Sequence, residues 1–338
     1  MKKSWLMSFI AVVVISLVAA WWLGGDKKTV KSYDSKEEII LRLGHSTNTE
    51  TPRHLVALQF AQWVAEQSNG RVKVEIFPVS LLGTDKQMLE LVKEGSLDMT
   101  LVFLGLLAND APKINVIELP FLFSNMDKVT TVLDGSIGEE LLQDLPKSGL
   151  RSLAYWDNGL RQISNNRQPI EKPEDMKGLK IRTTESKMSI SILKKLGSNP
   201  APLAWGEVYL ALAQGTFDGQ ENPIANIHAA KLYDVQKYIS VINYKYESSP
   251  LVINEQTWQK LPPDIQKILK EGAVKFAKET RRLNQEAEGK LLADLEARGV
   301  KVSRPDVTPF REATKPVYDE LVPVVGKELM DKVLTTVK

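Results

Sequence analysis

The sequence predicts an α/β protein made of two successive α/β units, and three observations lead to this prediction. Strand-like and helix-like segments alternate between residues 39 and 104, an order typical of a mostly parallel sheet covered by helices. A second alternation begins near residue 157, and residues 264–297 keep helical spacing without an interrupting proline. The length of 338 residues agrees with about two domains and allows a large core.

The first unit begins with the apolar run 39–43, which is a predicted strand. Residues 56–64 carry apolar side chains at helical spacing, and an Asn-Gly pair after them marks the end of that helix. Residues 72–76 alternate apolar and charged side chains, as in a strand with one buried face. Thr84 is a candidate N-cap for the next helix, and the apolar stretch LDMTLVFL (97–104) is the next strand.

The second unit follows the segment LAYW at residues 153–156. GLKIR (178–182) alternates apolar and basic residues as a short strand does, and Ser186 is a candidate N-cap for the helix after it. EVYLALAQG (207–215) adds a further helix. The strand-like SSPLVIN (248–254) would then return the chain to the first sheet.

Residues 264–297 predict one long helix, with Gly272 and Gly289 as the two positions where it would kink. A helix of about 30 residues is about 45 Å long. We therefore expect this helix to lie across both units.

Residues 1–35 are expected to export the chain and to tether it. Two lysines precede the apolar run 5–23, as in a segment that directs export with its N-terminus inside. A cleaved signal peptide would be cut after Ala19-Ala20, but an uncleaved anchor is favoured because the run approaches the roughly 20 residues that span a bilayer. In that case the segment contacts the membrane, and residues 24–36 form a polar tether. Either interpretation makes the rest of the chain extracytoplasmic.

The composition argues against several classes of function. The formal net charge is only +2, from 44 basic and 42 acidic side chains, and no long run of one sign supports nucleic-acid binding. The absence of cysteine removes disulfides, cysteine nucleophiles and thiolate metal sites. The sequence contains no GxSxG, P-loop, HExxH or GxGxxG-helix motif, and its three histidines lack metal-ligand spacing. The sequence therefore gives little support to an enzymatic function, and we expect no catalytic residues, metal or cofactor.

One constellation in the second unit has a clear chemical logic. YWDNGLRQISNN supplies Asn158 and Arg161, KIRTTES supplies Arg182, and the segment ending in QENP supplies Asn222. Arg182 comes at the carboxyl end of a predicted strand, where α/β proteins bind ligands. Guanidinium groups bind carboxylates through paired N–H donors, and an amide offers both donor and acceptor. The alternative is that both arginines pair with neighbouring acids such as Asp157 or Glu185.

The chain resembles the extracytoplasmic solute-binding subunit, DctP type, of tripartite ATP-independent periplasmic (TRAP) transporters. The resemblance extends from about Ile39 to Phe310. It is carried in order by FAQWVAEQSNGRVKVEIFP, LVKEGSLDM, VIELPFLF, LAYWDNG, MKGLKIR, EVYLALAQGTFDGQENPI, YDVQKYIS and LPPDIQKIL.

The resemblance implies a two-lobed periplasmic-binding-protein-like fold, with a ligand cleft between the lobes and the long helix spanning both. We expect lobe I to comprise residues 36–157 plus about 248–287. Lobe II then comprises residues 158–247 plus about 288–338. The lobes would close on a small organic acid, and the closed form would dock, as a monomer, on the TRAP membrane permease.

The resemblance also implies a set of ligand-binding residues. Arg182 occupies the place of the arginine that pairs with the substrate carboxylate, and Arg161 and Asn222 occupy the places of its two polar partners. Trp205 stands where an aromatic residue packs against ligand, although a tryptophan of the lobe core is an equal alternative. The remaining candidates from both lobes are Ser46, Asn48, Phe103, Asn158 and Glu185.

Departures from the family pattern bear on the ligand. Phe103 stands where sialic-acid-binding relatives carry a glutamate, which argues against sialic acid. Arg161 is nearer to relatives that bind sugar acids, and Glu185 would disfavour a second carboxylate if it lines the cleft. A uronate or aldonate is therefore favoured, with C4-dicarboxylates still open. Two other classes of function also stay open: an anchored sensor that reports ligand to a signalling partner, and an extracytoplasmic enzyme acting on a carboxylate.

Overall fold

The computed structural model describes residues 38–338, so the predicted export segment and tether lie outside the described residues. No helix within residues 38–338 is both long and apolar enough to cross a membrane.

A single mixed sheet runs through the described part of the chain. Its nine strands are β1 (Ile39–His45), β2 (Val72–Phe77), β3 (Met99–Leu101), β4 (Leu150–Asn165), β5 (Lys180–Thr183), β6 (Asn199–Pro202), β7 (Gly219–Asn222), β8 (Tyr238–Asn254) and β9 (Lys301–Ser303). The strand order is β2-β1-β3-β8-β4-β7-β5-β6, and β9 pairs with β8. We call the end that carries β1–β3 the first lobe and the end that carries β5–β7 the second lobe.

Helices cover the sheet, as the alternating pattern predicts. Thirteen α-helices lie in residues 38–338: α1 (Pro52–Gln67), α2 (Asp85–Glu94), α3 (Leu104–Leu107), α4 (Met126–Leu133), α5 (Ser136–Leu142), α6 (Lys187–Lys195), α7 (Val208–Ala213), α8 (Ile224–Ala229), α9 (Glu255–Lys260), α10 (Pro263–Ala297), α11 (Thr308–Thr314), α12 (Pro316–Val325) and α13 (Lys327–Val337). Short 3₁₀ turns are Pro112–Glu118, Leu145–Ser148, Pro173–Met176, Trp205–Glu207 and Leu232–Asp234.

The two lobes are joined by the long strands β4 and β8, which pair antiparallel from Leu150 opposite Asn254 to Asn165 opposite Tyr238. At about 3.3 Å per residue, the 16 residues of β4 span about 50 Å. The prediction of a mostly parallel sheet is therefore right for the strands within each lobe and wrong for the middle of the sheet. The register shifts near Gly159, whose φ of 119° suits a residue without Cβ.

The predicted long helix is confirmed as α10, a single helix of 35 residues. It packs on α1 in the first lobe and on α8 in the second. Gly272 has a reason other than a kink, because a Cβ there would lie 2.6 Å from the ring of Trp63 on α1. Trp156 of β4 also fixes the helix, since its indole N–H donates to the carbonyl of Ala273 at 3.0 Å.

Both predicted N-caps are present. Thr84 forms a capping box with Gln87 at the start of α2. Ser186 accepts from the backbone N–H of Ser189 at the start of α6. The Ser186 cap thereby holds the turn between β5 and α6.

Candidate functional site

The candidate site is a cleft between the lobes, at the carboxyl ends of β1, β5 and β7, with a volume of ≈ 570 Å³ including its opening. Its walls come from both lobes and from the connecting strands. The lining residues are Ser46, Thr47, Arg53, Thr84, Asp85, Lys86, Phe103, Leu106, Asn158, Arg161, Arg182, Thr184, Glu185, Leu203, Ala204, Trp205, Asn222, Asn226 and Glu247.

Arg182 lines this cleft as a buried cation, 3% exposed. Its Nε and Nη2 both donate to the carbonyl of Leu203, at 2.9 and 2.5 Å, which fixes the plane of the guanidinium. Its Nη1 is buried and has no hydrogen-bond partner among residues 38–338, and no carboxylate of that part of the chain forms an ion pair with Arg182. Burial lowers the pKa of Arg182 to about 10, with Glu221 opposing this shift and Arg161 adding to it. Arg182 is thus an oriented charge that forms no ion pair among residues 38–338.

Arg161 is equally buried, but its charge is compensated. Four of its N–H donors are engaged: Nε and Nη2 bind the Glu221 carboxylate, Nη2 also binds the Glu221 carbonyl, and Nη1 binds Glu247. Burial alone would raise the pKa of Glu221, but Arg161 and Lys245 hold it below its usual range. Arg161 therefore does pair with acids, as the alternative predicts, but these are Glu221 and Glu247, which are remote in sequence, and not the neighbouring Asp157. One Nη1 hydrogen is left for a ligand.

The two predicted amides, Asn158 and Asn222, line the cleft and are linked through Asn226, which the sequence analysis missed. Asn226 donates through Nδ2 to Asn158 at 3.1 Å and to Asn222 at 3.0 Å. Asn158 in turn donates to Glu247 at 2.6 Å. These contacts fix the amide orientations, so the side chains are positioned before any ligand binds.

Arg53 is a cleft residue that the sequence analysis missed. It lies in the first turn of α1, is 7% exposed, and uses Nη1 to bind the Ser249 hydroxyl. Its Nε is buried without a partner in the described chain, and it forms no ion pair there. Burial lowers the pKa of Arg53, and burial together with the Arg53 charge lowers the pKa of His45 to about 3. Arg53 could have been found by the rule that singled out Arg182, because it follows the carboxyl end of β1, where α/β proteins bind ligands.

The first-lobe candidates have different roles. Ser46 lines the cleft and donates to the carboxylate of Asp85 at 2.9 Å, and Phe103 lines the cleft directly. Asn48 does not line it, but its side-chain oxygen accepts from the indole N–H of Trp205 across the cleft at 3.2 Å. Trp205 packs on the second-lobe core and also lines the cleft, with its ring 5.8 Å from the Arg182 guanidinium, so its contact with a ligand stays a prediction.

Glu185 lies at the mouth of the cleft rather than on its floor. Its side chain is 39% exposed and pairs at 3.7 Å with Lys86 from the opposite lobe. It does not pair with Arg182, so the alternative of a local Arg182–Glu185 pair is wrong. Within residues 38–338 no group of three or more His, Asp or Glu side chains is placed to hold a metal ion.

Comparison with known proteins agrees with this geometry. Residues 43–323 match the family DctP, bacterial extracellular solute-binding protein, family 7. The 2,3-diketo-L-gulonate-binding periplasmic protein YiaO of Escherichia coli is 36% identical over 262 residues, 78% of this chain and 80% of that protein.

Two solved structures are also similar. The sugar acid binding protein DctPAm of Advenella mimigardefordensis in complex with galactonate is 32% identical, covers 89% of this chain and 98% of its own, and has a TM-score of 0.86. A TRAP periplasmic solute binding protein of Sulfurospirillum deleyianum with bound succinate is 30% identical, covers 89% and 100%, and has a TM-score of 0.84. These relatives are extracytoplasmic binding proteins rather than enzymes, and their fold has two lobes. The chain therefore belongs to family 7 of the bacterial extracellular solute-binding proteins, the DctP family of TRAP transporter solute-binding proteins.

Proposed function

We propose that this protein captures a small hydroxylated monocarboxylate outside the cytoplasm and delivers it to the membrane permease of a TRAP transporter. The observation that carries the proposal is Arg182, whose buried Nη1 has neither a hydrogen-bond partner nor a counter-ion in the described chain. A buried charge without a partner costs free energy, and an anionic ligand relieves that cost. Hydrogen bonds to charged groups contribute about 1.5–3 kcal/mol each, enough to select carboxylates.

A hydroxylated ligand is favoured over a plain dicarboxylate because of the acceptors in the cleft. Oε1 of Glu247 is buried without a hydrogen-bond donor among residues 38–338, although Lys245 lies 3.6 Å away. The Thr184 hydroxyl, which belongs to the same cleft lining, is also buried without a partner in the described chain. A sugar hydroxyl donates a hydrogen bond to such a carboxylate, whereas the second carboxylate of an ionised dicarboxylate would be repelled by it. The relatives that bind galactonate and 2,3-diketo-L-gulonate support this choice.

The binding residues of the proposal divide by role. Arg182 binds the ligand carboxylate, with the remaining Nη1 hydrogen of Arg161 as second donor. Asn222 and Asn158 contribute amide groups, while Trp205 and Phe103 form apolar walls. The protein acts as a monomer without chemistry on its ligand, and residues 1–35 hold it at the outer face of the membrane or direct its export.

The test is a thermal-shift and calorimetry screen of the folded protein against D-galactonate, D-galacturonate, D-glucuronate, D-erythronate and succinate. A ligand that binds only the native state raises the melting temperature. We expect binding of at least one hydroxylated monocarboxylate, stoichiometric and without turnover, and its loss in Arg182→Met. Arg71→Met is the matched control, since Arg71 pairs with the exposed Asp264 outside the cleft. Failure of every acid to bind, or retained affinity in Arg182→Met, would refute the proposal.

A further inference from the structure

A second uncompensated arginine faces the same cleft from the opposite lobe. Arg53 projects from α1 of the first lobe, and Arg182 from β5 of the second. Both are at least nine-tenths buried, both keep a buried N–H without a partner among residues 38–338, and neither forms an ion pair there. A core arginine kept for stability normally pairs with a carboxylate, as Arg161 does with Glu221 and Glu247. Arg71 and Arg281 also keep a buried Nε without a partner among residues 38–338, but both form ion pairs and neither lines the cleft, so the missing carboxylate partner is what sets Arg53 apart.

An acceptor alone would satisfy Arg53, but its surroundings specify more. Asp85 also lines the cleft, and its charge attracts that of Arg53. The two do not form an ion pair, so the Arg53 nitrogens and the Asp85 oxygens are more than 4 Å apart. The Ser46 hydroxyl holds one Asp85 oxygen at 2.9 Å, which fixes the carboxylate and leaves its other oxygen for a ligand. An N–H donor and a carboxylate acceptor facing one space match a hydroxyl group, which accepts one hydrogen bond and donates another.

We propose that Arg53 and Asp85 form a hydroxyl-reading pair that makes the protein selective for hydroxylated over unhydroxylated acids. The proposal rests on the proposed function, because it assigns the part of the ligand that faces away from Arg182. The ligand carboxylate neutralises Arg182 in the second lobe, and a hydroxyl farther along the same molecule bridges Nε of Arg53 and the Asp85 carboxylate in the first lobe. A site built to bind a hydroxyl rejects analogues that lack it, because its polar groups are then buried without partners.

This role makes an unusual prediction for stability. Nη1 of Arg53 binds Ser249 of β8, so an arginine kept for structure would lower the stability of the empty protein when it is replaced. An arginine kept for ligand is instead a buried, uncompensated charge, and its replacement by methionine should leave the empty protein as stable or more stable. Affinity and stability therefore move in opposite directions only if Arg53 serves the ligand.

The experiment compares two ligands of equal carbon number, D-erythronate and butyrate, in the wild type, Arg53→Met, Asp85→Asn and the control Arg71→Met. Calorimetry gives the affinities, and urea unfolding gives the stability of the empty proteins. We expect the wild type to prefer D-erythronate at least tenfold and Arg53→Met to lose at least tenfold in D-erythronate affinity. Its butyrate affinity should change less than threefold. We expect the Asp85→Asn loss to be non-additive with that of Arg53→Met, and the control to be unchanged.

Several results would overturn the inference. Unchanged D-erythronate affinity in Arg53→Met would remove Arg53 from the site, and equal losses for both ligands would show that it does not read hydroxyls. Should Arg53→Met not fold, Arg53→Gln keeps an N–H donor without the charge and is expected to retain part of the D-erythronate preference. Full loss of that preference in Arg53→Gln would also overturn the inference. A wild type that binds no acid at all would refute the proposed function itself, which distinguishes the two failures.

Discussion

Replacing Trp205 with phenylalanine tests whether a single hydrogen bond across the cleft helps to hold the closed form. The indole N–H donates to the side-chain oxygen of Asn48 at 3.2 Å, which links the second lobe to the first. Phenylalanine keeps an aromatic face beside the Arg182 guanidinium, now 5.8 Å from the ring, but cannot donate a hydrogen bond. Both partners are half-buried, so water replaces the lost contact once the lobes separate.

The expected magnitude follows from these contacts. A neutral hydrogen bond contributes about 0.5–1.5 kcal/mol net, so Trp205→Phe should weaken ligand binding about two- to tenfold. Trp205→Ala also removes the cation–π contact, worth up to about 2 kcal/mol when desolvated, so the total loss should reach at most about 3.5 kcal/mol, or roughly 300-fold. Asn48→Ala should reproduce the phenylalanine effect, and the double variant should be no weaker than either single one.

Stopped-flow dissociation kinetics and calorimetry with the best acid from the screen measure this effect. The loss should be in the dissociation rate, because the bond forms only after the lobes close. Trp258→Phe is the control, because the Arg151 guanidinium lies over the Trp258 ring at 5.6 Å, as Arg182 does over Trp205, but Trp258 does not line the cleft. If Trp205→Phe releases ligand at the wild-type rate, the Trp205–Asn48 contact does not stabilise closure and the reasoning fails.

Three further predictions concern charged groups. Glu185→Gln should change the ligand affinity measured by calorimetry less than about fivefold, because the exposed pair with Lys86 contributes about 0–1 kcal/mol. The difference should vanish in 0.5 M salt, where the Debye length is on the order of 4 Å, and a large change would contradict this prediction. Glu118→Gln should cost roughly 3–5 kcal/mol in urea unfolding, because it removes the 2.5 Å partner of the fully buried Lys245; an unchanged midpoint would contradict it. Burial lowers the pKa of His45 from its usual 6.5 to about 3 in the folded protein. The contribution of His45 to the free energy of unfolding is therefore full above pH 6.5 and falls as the pH drops, by on the order of 3 kcal/mol at pH 4. His45→Asn should flatten this pH dependence in urea unfolding.

The elements that the sequence predicted well are those with one buried face. β2 alternates buried and exposed positions at its start, and α10 keeps an apolar stripe over 35 residues. The caps Thr84 and Ser186 were predictable because each acts on a backbone N–H three residues later. The division of the chain into lobes at the stated boundaries stays a prediction. Helices α12 and α13, which the prediction assigns to lobe II, pack against α4 and residues 112–118 of the predicted lobe I as well as against α6 of lobe II.

The strands that join the lobes could not be read from periodicity. β8 is buried almost throughout its 17 residues and carries Lys245 and Glu247 at 0% and 1% exposure. Charged residues at such positions look like solvent-facing residues of a short strand, because their partners lie far away in sequence. Lys245 pairs with Glu118, 127 residues earlier, and Glu247 pairs with Arg161, 86 residues earlier. Only the folded sheet shows that these charges compensate one another.

Because ion-pair partners can be remote in sequence, only their positions in the chain could indicate which of Arg161 and Arg182 binds ligand. Both are buried beside one cleft, and what separates them is counter-charge: two carboxylates face Arg161, and none forms an ion pair with Arg182 in the described chain. The internal ion pairs hold β4, β7 and β8 together, whereas Arg182 and Arg53 line the cleft without an ion pair among residues 38–338. Closing the lobes removes water and strengthens the attraction of a bound anion to these two groups. On the proposed function, Arg161 positions the site through its two ion pairs and adds one hydrogen bond to the ligand, whereas Arg182 binds the ligand carboxylate.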